Sequence, residues 1–225
     1  MTRPQTALVV LNGDDVYEDL FSAGLKLQEI LTGLGFATRT AMGLARATKA
    51  ADLIVLYTAM GCFPPERQQA LAGAVSAGTG LLAVHAANVF PAAQGRLDED
   101  YRQAFELIGS RYASHGPRPH ESRFRVESRT DHELTSGLAP FEITHEHYQL
   151  ELASDVQVLA WRPASTGPEP ILHVREPGRG RVCYLQLGHD MRAWDDPPVR
   201  TLITRAVLWT VGQAAGESEK EAVAV

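Results

Sequence analysis

The chain has 225 residues, of which 44% are hydrophobic and 21% charged, and it carries a formal net charge of −6. That length suits one large α/β unit, and that composition can bury a full core beneath a polar surface. No block of lysine and arginine occurs, which argues against nucleic acid and anionic membranes as partners, since both need clustered cations. Cys62 and Cys183 are far apart and lack CxxC spacing, so a disulfide framework is not expected and a reducing, cytoplasmic setting is. No apolar run approaches the roughly 20 residues of a membrane-spanning helix, and none precedes the first strand pattern.

Residues 5–11 (QTALVVL) form a continuous apolar run suited to a strand covered on both faces. It breaks at Asn12-Gly13-Asp14-Asp15, a turn cluster. Leu20, Leu27, Ile30, Leu31 and Leu34 then recur at helical spacing, and Gly35 is placed to end that helix. Residues 36–42 read as a second strand and 51–57 (ADLIVLY) as a third. Pro64 and Pro65 open the next helix, where a missing N–H costs nothing; Leu71, Ala74 and Val75 supply its buried face and Gly78 closes it. Residues 80–85 (GLLAVH) are another buried strand. This alternation implies right-handed crossovers and a parallel, doubly wound sheet.

After His85 the rhythm changes. Residues 86–97 read as loop and 99–108 as helix, while segments near 121–129, 141–150 and 156–161 alternate like antiparallel strands at a sheet edge. Residues 169–175 and 181–187 are clearer strands, joined by the turn Pro177-Gly178-Arg179-Gly180. A last helix covers residues 198–211, and residues 214–225 read as a frayed tail. The expected fold class is α/β, a three-layer α/β/α domain over residues 1–213 with a mainly parallel central sheet and antiparallel edge strands.

Ligands of open parallel sheets bind beyond the carboxyl ends of the strands. Three polar clusters fall there: Asn12, Asp14 and Asp15 after the first strand, His85 and Asn88 after the fourth, and His189 and Asp190 after RVCYLQLG. Each alone reads better as structure, since a histidine ending a buried strand is more often a satisfied core residue than a catalytic one. Strands that point the same way would bring the three together. Two further groups lie in the irregular middle, Ser114-His115 and Thr144-His145-Glu146-His147-Tyr148. Strand alternation sends Glu146 and Tyr148 to one face and His145 and His147 to the other, so only one of these pairs is expected in a given site. Asp131-His132 reads as a structural turn.

The strings GLLAVHAAN, SRYASH, DHELTSGLAPFEITHEHYQL and PILHVREPGRGRVCYLQLGHDMRAW resemble the trehalose-utilisation (ThuA-like) family in content and order. GRGRVCYLQLGHD, with Trp194 shortly after, is the most specific part. The N-terminal third matches only in pattern, and His145 stands where the family pattern carries an acidic residue. The resemblance implies a flavodoxin-like fold similar to class I glutamine amidotransferases, whose nucleophilic cysteine sits at the turn after the strand corresponding to GLLAVH. Here His85 takes that turn. Cys183 lies inside a strand as a small hydrophobe, and Cys62 has no evident histidine partner, so amidotransferase chemistry is not expected.

His85, His115, His147 and His189, with Glu146, are nitrogen and oxygen donors that suit zinc, manganese or iron(II) held by three protein ligands with one open position. A metal-free pocket whose histidines bond sugar hydroxyls is the alternative. The resemblance implies a small-molecule carbohydrate as substrate, with 3-keto glycosides as a candidate class. Their keto group acidifies the hydrogen on the neighbouring ring carbon; a base removes it, a metal or imidazolium stabilises the enediolate, and the aglycone leaves. In that scheme Glu146 or His85 is the base, His189 stabilises the oxyanion and Asp190 orients the His189 ring. Asn12, Asp14, Asn88, Tyr148 and Trp194 are candidates for holding the sugar, Trp194 by stacking. No nucleotide cofactor is expected, and a two-fold dimer would be compatible with a compact acidic domain. A competing expectation is a non-catalytic carbohydrate-binding or interaction module that kept the fold after losing the nucleophile.

Overall fold

The computed structural model describes residues 3–13, 17–43, 51–59, 64–93 and 95–213. Its first half alternates strands and helices: β1 (Thr6–Asn12), α1 (Leu20–Gly33), β2 (Ala37–Met42), β3 (Leu53–Thr58), α2 (Pro65–Ser76) and β4 (Gly80–Val84). A 3₁₀ turn over His85–Asn88 follows, then the two-residue strands β5 (Ala92–Ala93) and β6 (Arg96–Leu97), a second 3₁₀ turn and α3 (Arg102–Ile108). The second half holds β7 (Ser110–Ser114), β8 (Glu121–Ser128), β9 (Phe141–Glu146), β10 (Gln149–Leu152), β11 (Gln157–Arg162), β12 (Glu169–Arg175), β13 (Val182–Leu185), α4 (Met191–Trp194) and α5 (Pro197–Thr210).

The result is an α/β fold around one nine-stranded mixed sheet, ordered β2-β1-β3-β4-β13-β12-β11-β8-β9. The strands from β2 to β13 pair in parallel, and those from β13 to β9 antiparallel. β1 has no polar alternation because both of its faces are covered. Ala7, Val9 and Leu11 pack in a cluster with Leu27 and Ile30 of α1 and Leu202 of α5, while Leu8 and Val10 join Leu71 of α2 and Leu107 of α3. Each such aliphatic side chain removed from water stabilises the fold by roughly 1.5–3 kcal/mol. α1 starts where the Asp19 side chain accepts the Ser22 N–H at 2.9 Å. Just past β1, Gly13 has φ +120°, and a Cβ there would lie 2.1 Å from the Ala59 carbonyl oxygen beyond β3. Only glycine allows that approach.

Several boundaries differ from the sequence expectation. The segment read as one strand over 141–150 is two: pairing alongside β8 closes with the His147 N–H on the His120 carbonyl (2.8 Å), and from Gln149 the chain runs beside another strand. β10 then pairs with β7, a strand the sequence reading missed. The stretch read as loop over 86–97 contains the 3₁₀ turn and a small hairpin. The pairing of β13 stops at Leu185, two residues short of the expected end. Asp14 and Cys62, candidates for a ligand contact and a thiol, lie outside the described residues. Cys183 is fully buried within β13, as a small hydrophobe, and burial raises its pKa. Among the described residues no helix is long and apolar enough to cross a membrane.

The sheet curls. Five ladder steps separate β4 from β9, about 24 Å in a flat sheet at roughly 4.8 Å per strand, yet side chains of the two strand ends touch. The antiparallel half therefore folds back over the carboxyl ends of the parallel half.

His173 of β12 is a cost inside this sheet. It is fully buried and stacked on Tyr184 (centroids 5.1 Å), and neither ring nitrogen has a hydrogen-bond partner among the described residues. Burial pushes its pKa down to about 3. The folded state keeps the ring neutral while the unfolded chain protonates it below about pH 6.5, so its contribution to stability falls as pH drops from 6.5 towards 3. Between pH 6.5 and 4.5, His173→Leu should lose less unfolding free energy than the wild type, by roughly 2 kcal/mol. Urea titrations at the two pH values measure this; parallel losses would disprove the neutral buried ring.

Candidate active site

Four titratable side chains from distant parts of the chain meet above the parallel strands. His85 follows β4 directly, with φ +51°, a left-handed conformation that costs a non-glycine residue roughly 1–2 kcal/mol. The ring is held from below. Its Nδ1 donates to the Gln186 carbonyl (2.8 Å), and the Tyr184 hydroxyl reaches the His85 carbonyl (2.9 Å). That leaves Nε2 facing three oxygens: the Tyr148 hydroxyl at 3.1 Å, Glu18 Oε1 at 3.2 Å and Glu146 Oε2 at 3.6 Å.

Glu18 sits in the connection from β1 to α1, one residue before the Asp19 cap, with its side chain 3% exposed. Its second oxygen lies 3.3 Å from His189 Nδ1, and Glu146 Oε2 approaches the same nitrogen at 3.5 Å. His189 Nδ1 is enclosed yet makes no hydrogen bond of good geometry. The side chains of Glu146 (20% exposed) and His189 (24%) open to solvent, while those of Glu18 and His85 lie beneath them.

The charges are set by mutual proximity. Burial opposes ionisation of Glu18, but hydrogen bonding from His189 and His85 outweighs it and brings its pKa down to about 2. Burial likewise opposes the His85 cation, and the Glu146 and Glu18 carboxylates overcome this, raising it to about 9. Glu18 raises His189. The Glu146 carboxyl is held below its usual range against its own burial, first by His85. Burial drives the Tyr148 phenol well above its usual value, so it stays protonated, and its oxygen accepts from the Nε2–H of the His85 cation.

His145 aligns the open pair. Its Nε2 accepts two backbone N–H groups, from Gly188 (3.0 Å) and His189 (3.1 Å), so the ring proton is on Nδ1, which donates to the Glu146 carbonyl (3.1 Å). One neutral ring thus ties the backbone of Glu146 to that of His189, and burial together with the nearby His85 cation lowers its pKa to about 3. The Gly188 carbonyl, in turn, accepts from Trp194 Nε1 (2.9 Å) and the Tyr57 hydroxyl (3.0 Å).

The expected site residues divide accordingly. His85, Glu146, His189 and Tyr148 come together. Alternation failed as a filter, because the site wraps around the end of β9: His145, Glu146 and Tyr148 all reach it, while His147 turns away to Ser122 (Nε2 to Oγ, 2.7 Å) and is no metal ligand here. His115 is displaced as well; its Nδ1 bonds the His147 carbonyl (3.0 Å) and its ring lies against Tyr148, outside the donor cluster. Asp190 does not orient His189: it caps α4 through the Arg192 and Ala193 N–H groups and pairs with Arg192. Trp194 is fully buried, edge-on to Tyr57, and offers no face to a sugar. Asn88 is buried between the Tyr184 hydroxyl (3.1 Å) and Ser110 Oγ (2.9 Å), supporting the His85 turn rather than binding substrate. The Asn12 side chain accepts the Gly13 N–H (2.9 Å) and shapes the turn after β1. Glu18 and His145 were missed. An acidic residue just ahead of a helix start, after the first strand, was the available signal for Glu18.

Glu18, His85 and His189 each present a ligand atom within 4.8 Å of the other two, a spacing that could hold a metal ion. The His85 arrangement is that of a ligand whose second nitrogen is fixed by a carbonyl, and His189 Nδ1 faces the Glu18 and Glu146 carboxylates at 3.3 and 3.5 Å, where such an ion would bind.

The ThuA family model, described as trehalose utilisation, matches residues 9–210. No curated protein matches the chain. Among solved structures, a ThuA-like protein from Bacteroides uniformis superposes with a TM-score of 0.75 at 17% identity, covering 98% of this chain and 97% of that one. Another from Parabacteroides merdae gives 0.74 at 15% identity, covering 96% and 93%. A β-galactosidase from Rahnella sp. R3 gives 0.64 at 13% identity, with 93% of this chain matching 32% of that one. At these identities the likeness concerns the fold.

Removing Glu18 leaves buried imidazolium without its counter-charge. The stability that His85 draws from its raised pKa is complete below about pH 6.5 and is lost as pH rises through about 9. In chelator-treated protein, Glu18→Ala should cost roughly 3–5 kcal/mol at pH 6.5 and distinctly less at pH 9.5. Equal losses at both pH values, by urea denaturation, would show that the pair is not charged.

Proposed function

The chain belongs to the ThuA (trehalose utilisation) family, and from that premise we propose that it is an enzyme of sugar metabolism that cleaves oxidised (3-keto) glycosides by acid–base chemistry. The observation that carries the reading is the meeting of two carboxylates and two imidazoles within 3.2–3.6 Å, with one carboxylate and one imidazole open to solvent. The order β2-β1-β3-β4-β13 and the helices on both faces support a flavodoxin-like, three-layer reading of the frame, with His85 where an amidotransferase would carry its cysteine.

Glu18, His85 and His189 would hold a divalent metal, zinc, manganese or iron(II). Two ionised carboxylates and two imidazolium ions sum to zero charge, and a divalent cation in place of the two protons keeps that sum. When bound, the metal polarises the substrate's keto oxygen and offsets the charge that grows there. Glu146 is the base: ionised, partly exposed and fixed by the His145 bond to its carbonyl. It takes the proton from the ring carbon between the ketone and the anomeric carbon. The electron pair left behind forms the enediolate. As the ketone re-forms, a double bond develops to the anomeric carbon and the glycosidic C–O bond breaks. The aglycone oxygen takes the proton back from Glu146, and water added across the double bond completes the cleavage. His85 is no base in this scheme, because it is fully buried with both nitrogens engaged. Tyr148 stays protonated beside it, its hydroxyl oxygen 3.1 Å from Nε2.

Elemental analysis of the purified protein should find about one equivalent of a divalent metal, reduced in Glu18→Ala and His189→Ala. With 3-keto glycosides, Glu146→Gln should keep the metal and lose roughly 10²- to 10⁴-fold in turnover. No product from a panel of such glycosides supplied with each of the three metals, with Glu146→Gln indistinguishable from wild type, would overturn the reading.

A further inference from the structure

Glu146 is flanked on one side by rings that the acid–base scheme does not use. Tyr148 stacks on His85 (centroids 4.8 Å, 24° between planes) and meets Tyr112 edge-on (4.8 Å) and His115 at 5.5 Å. Tyr112 and His115 touch at 5.2 Å, and His115 stacks on His120 (4.9 Å, 25°). Exposure rises along this series, from buried Tyr148 through half-buried Tyr112 and His115 to exposed His120. Both middle rings are close enough to Glu146 to act on its charge or feel it: His115 helps hold the Glu146 carboxyl down, and Glu146 helps raise the Tyr112 phenol after burial.

The backbone of one residue holds the outer pair in place. The His147 N–H donates to the His120 carbonyl (2.8 Å), and the His147 carbonyl accepts from His115 Nδ1 (3.0 Å). His147 lies between Glu146 and Tyr148 in sequence, so the rings and the open carboxylate share one rigid backbone segment. The loop that returns His120 onto His115 turns at Gly116, with φ +71°, against the Gln149 side chain. No carboxylate or guanidinium takes part in the ladder. With Nδ1 committed to a carbonyl, Nε2 of His115 is the ring nitrogen left to bond a hydroxyl.

Ring faces bordering a polar reaction centre suit a second ring bearing hydroxyls. We propose that Tyr112, His115 and His120 form a subsite for the ring on the leaving side of the scissile bond, so that the preferred ligand is a two-ring glycoside, a disaccharide or an aryl glycoside, rather than a monosaccharide. The assignment rests on the reading of the site as a sugar site. Its source is geometric: a ligand atom that reaches Glu146 has this ladder beside it, and stacking there contributes on the order of 0.5–1.5 kcal/mol per ring.

Methyl and phenyl β-D-glucopyranoside, titrated into wild-type protein and followed by NMR, separate the reacting ring from the leaving-side ring. Phenyl glucoside should bind roughly two- to tenfold more tightly than methyl glucoside. His120→Ala, a change at an exposed side chain, should abolish that preference and leave methyl glucoside binding unchanged, and His120→Trp should restore it. Equal affinities in the wild type, a preference that survives in both His120→Ala and His115→Ala, or no binding of either probe would overturn the subsite. Turnover of 3-keto glycosides without a phenyl preference would remove the subsite and leave the reaction; the preference without turnover would do the reverse.

Discussion

Glu18 and His85 are both withdrawn from water, and each stays charged there through counter-charges held against it. Moving one such ion out of water costs several kcal/mol even after relaxation, and only a close counter-charge with further hydrogen bonds offsets it. Here each is shared: Glu18 lies between His85 and His189, and Glu146 approaches both rings from the solvent side. The four groups are one electrostatic unit. The strained backbone at His85 persists because Gln186 and Tyr184 over-determine the turn from below.

The remainder of the site keeps that unit aligned. His145 spends both ring nitrogens on backbone groups, which excludes it as a ligand despite ring centroids only 5.3 Å from His85. What position 145 requires is an acceptor for two converging N–H donors. A carboxylate there would satisfy the same two donors but has no proton for the Glu146 carbonyl, so it is the neutral imidazole that ties both backbones. Trp194 and Tyr57 serve the same end through the Gly188 carbonyl. Large aromatic residues near a sugar site invite a stacking role, yet the buried ones here are structural, and the exposed ladder is built from tyrosine and histidine.

Much of the fold was legible because both helical spacing and unbroken apolar runs are local patterns. QTALVVL and GLLAVH read as strands covered on both faces, and the spacing of Leu27, Ile30, Leu31 and Leu34 as the buried face of a helix. Less of the site could be read. His85 and His189 were accessible because parallel strands place their carboxyl ends on one edge. Asp190, Trp194 and Asn88 lay at the same edge and were misassigned, since nearness to an edge does not say whether a side chain points into the cleft or into a cap. Glu18 hid in an irregular connection with no periodicity to mark it.

From composition and order alone follow the α/β class, the alternation of elements, the absence of a suitably placed thiol and the grouping of histidines towards the carboxyl ends of strands. Only the tertiary structure decided which of them meet. Five ladder steps lie between β4 and β9, and nothing in either segment encodes the curl that brings Glu146 to His85. That curl comes from accumulated strand twist and from packing against α4 and α5. Both depend on many residues far apart in the chain, whereas a sequence pattern reports only on near neighbours.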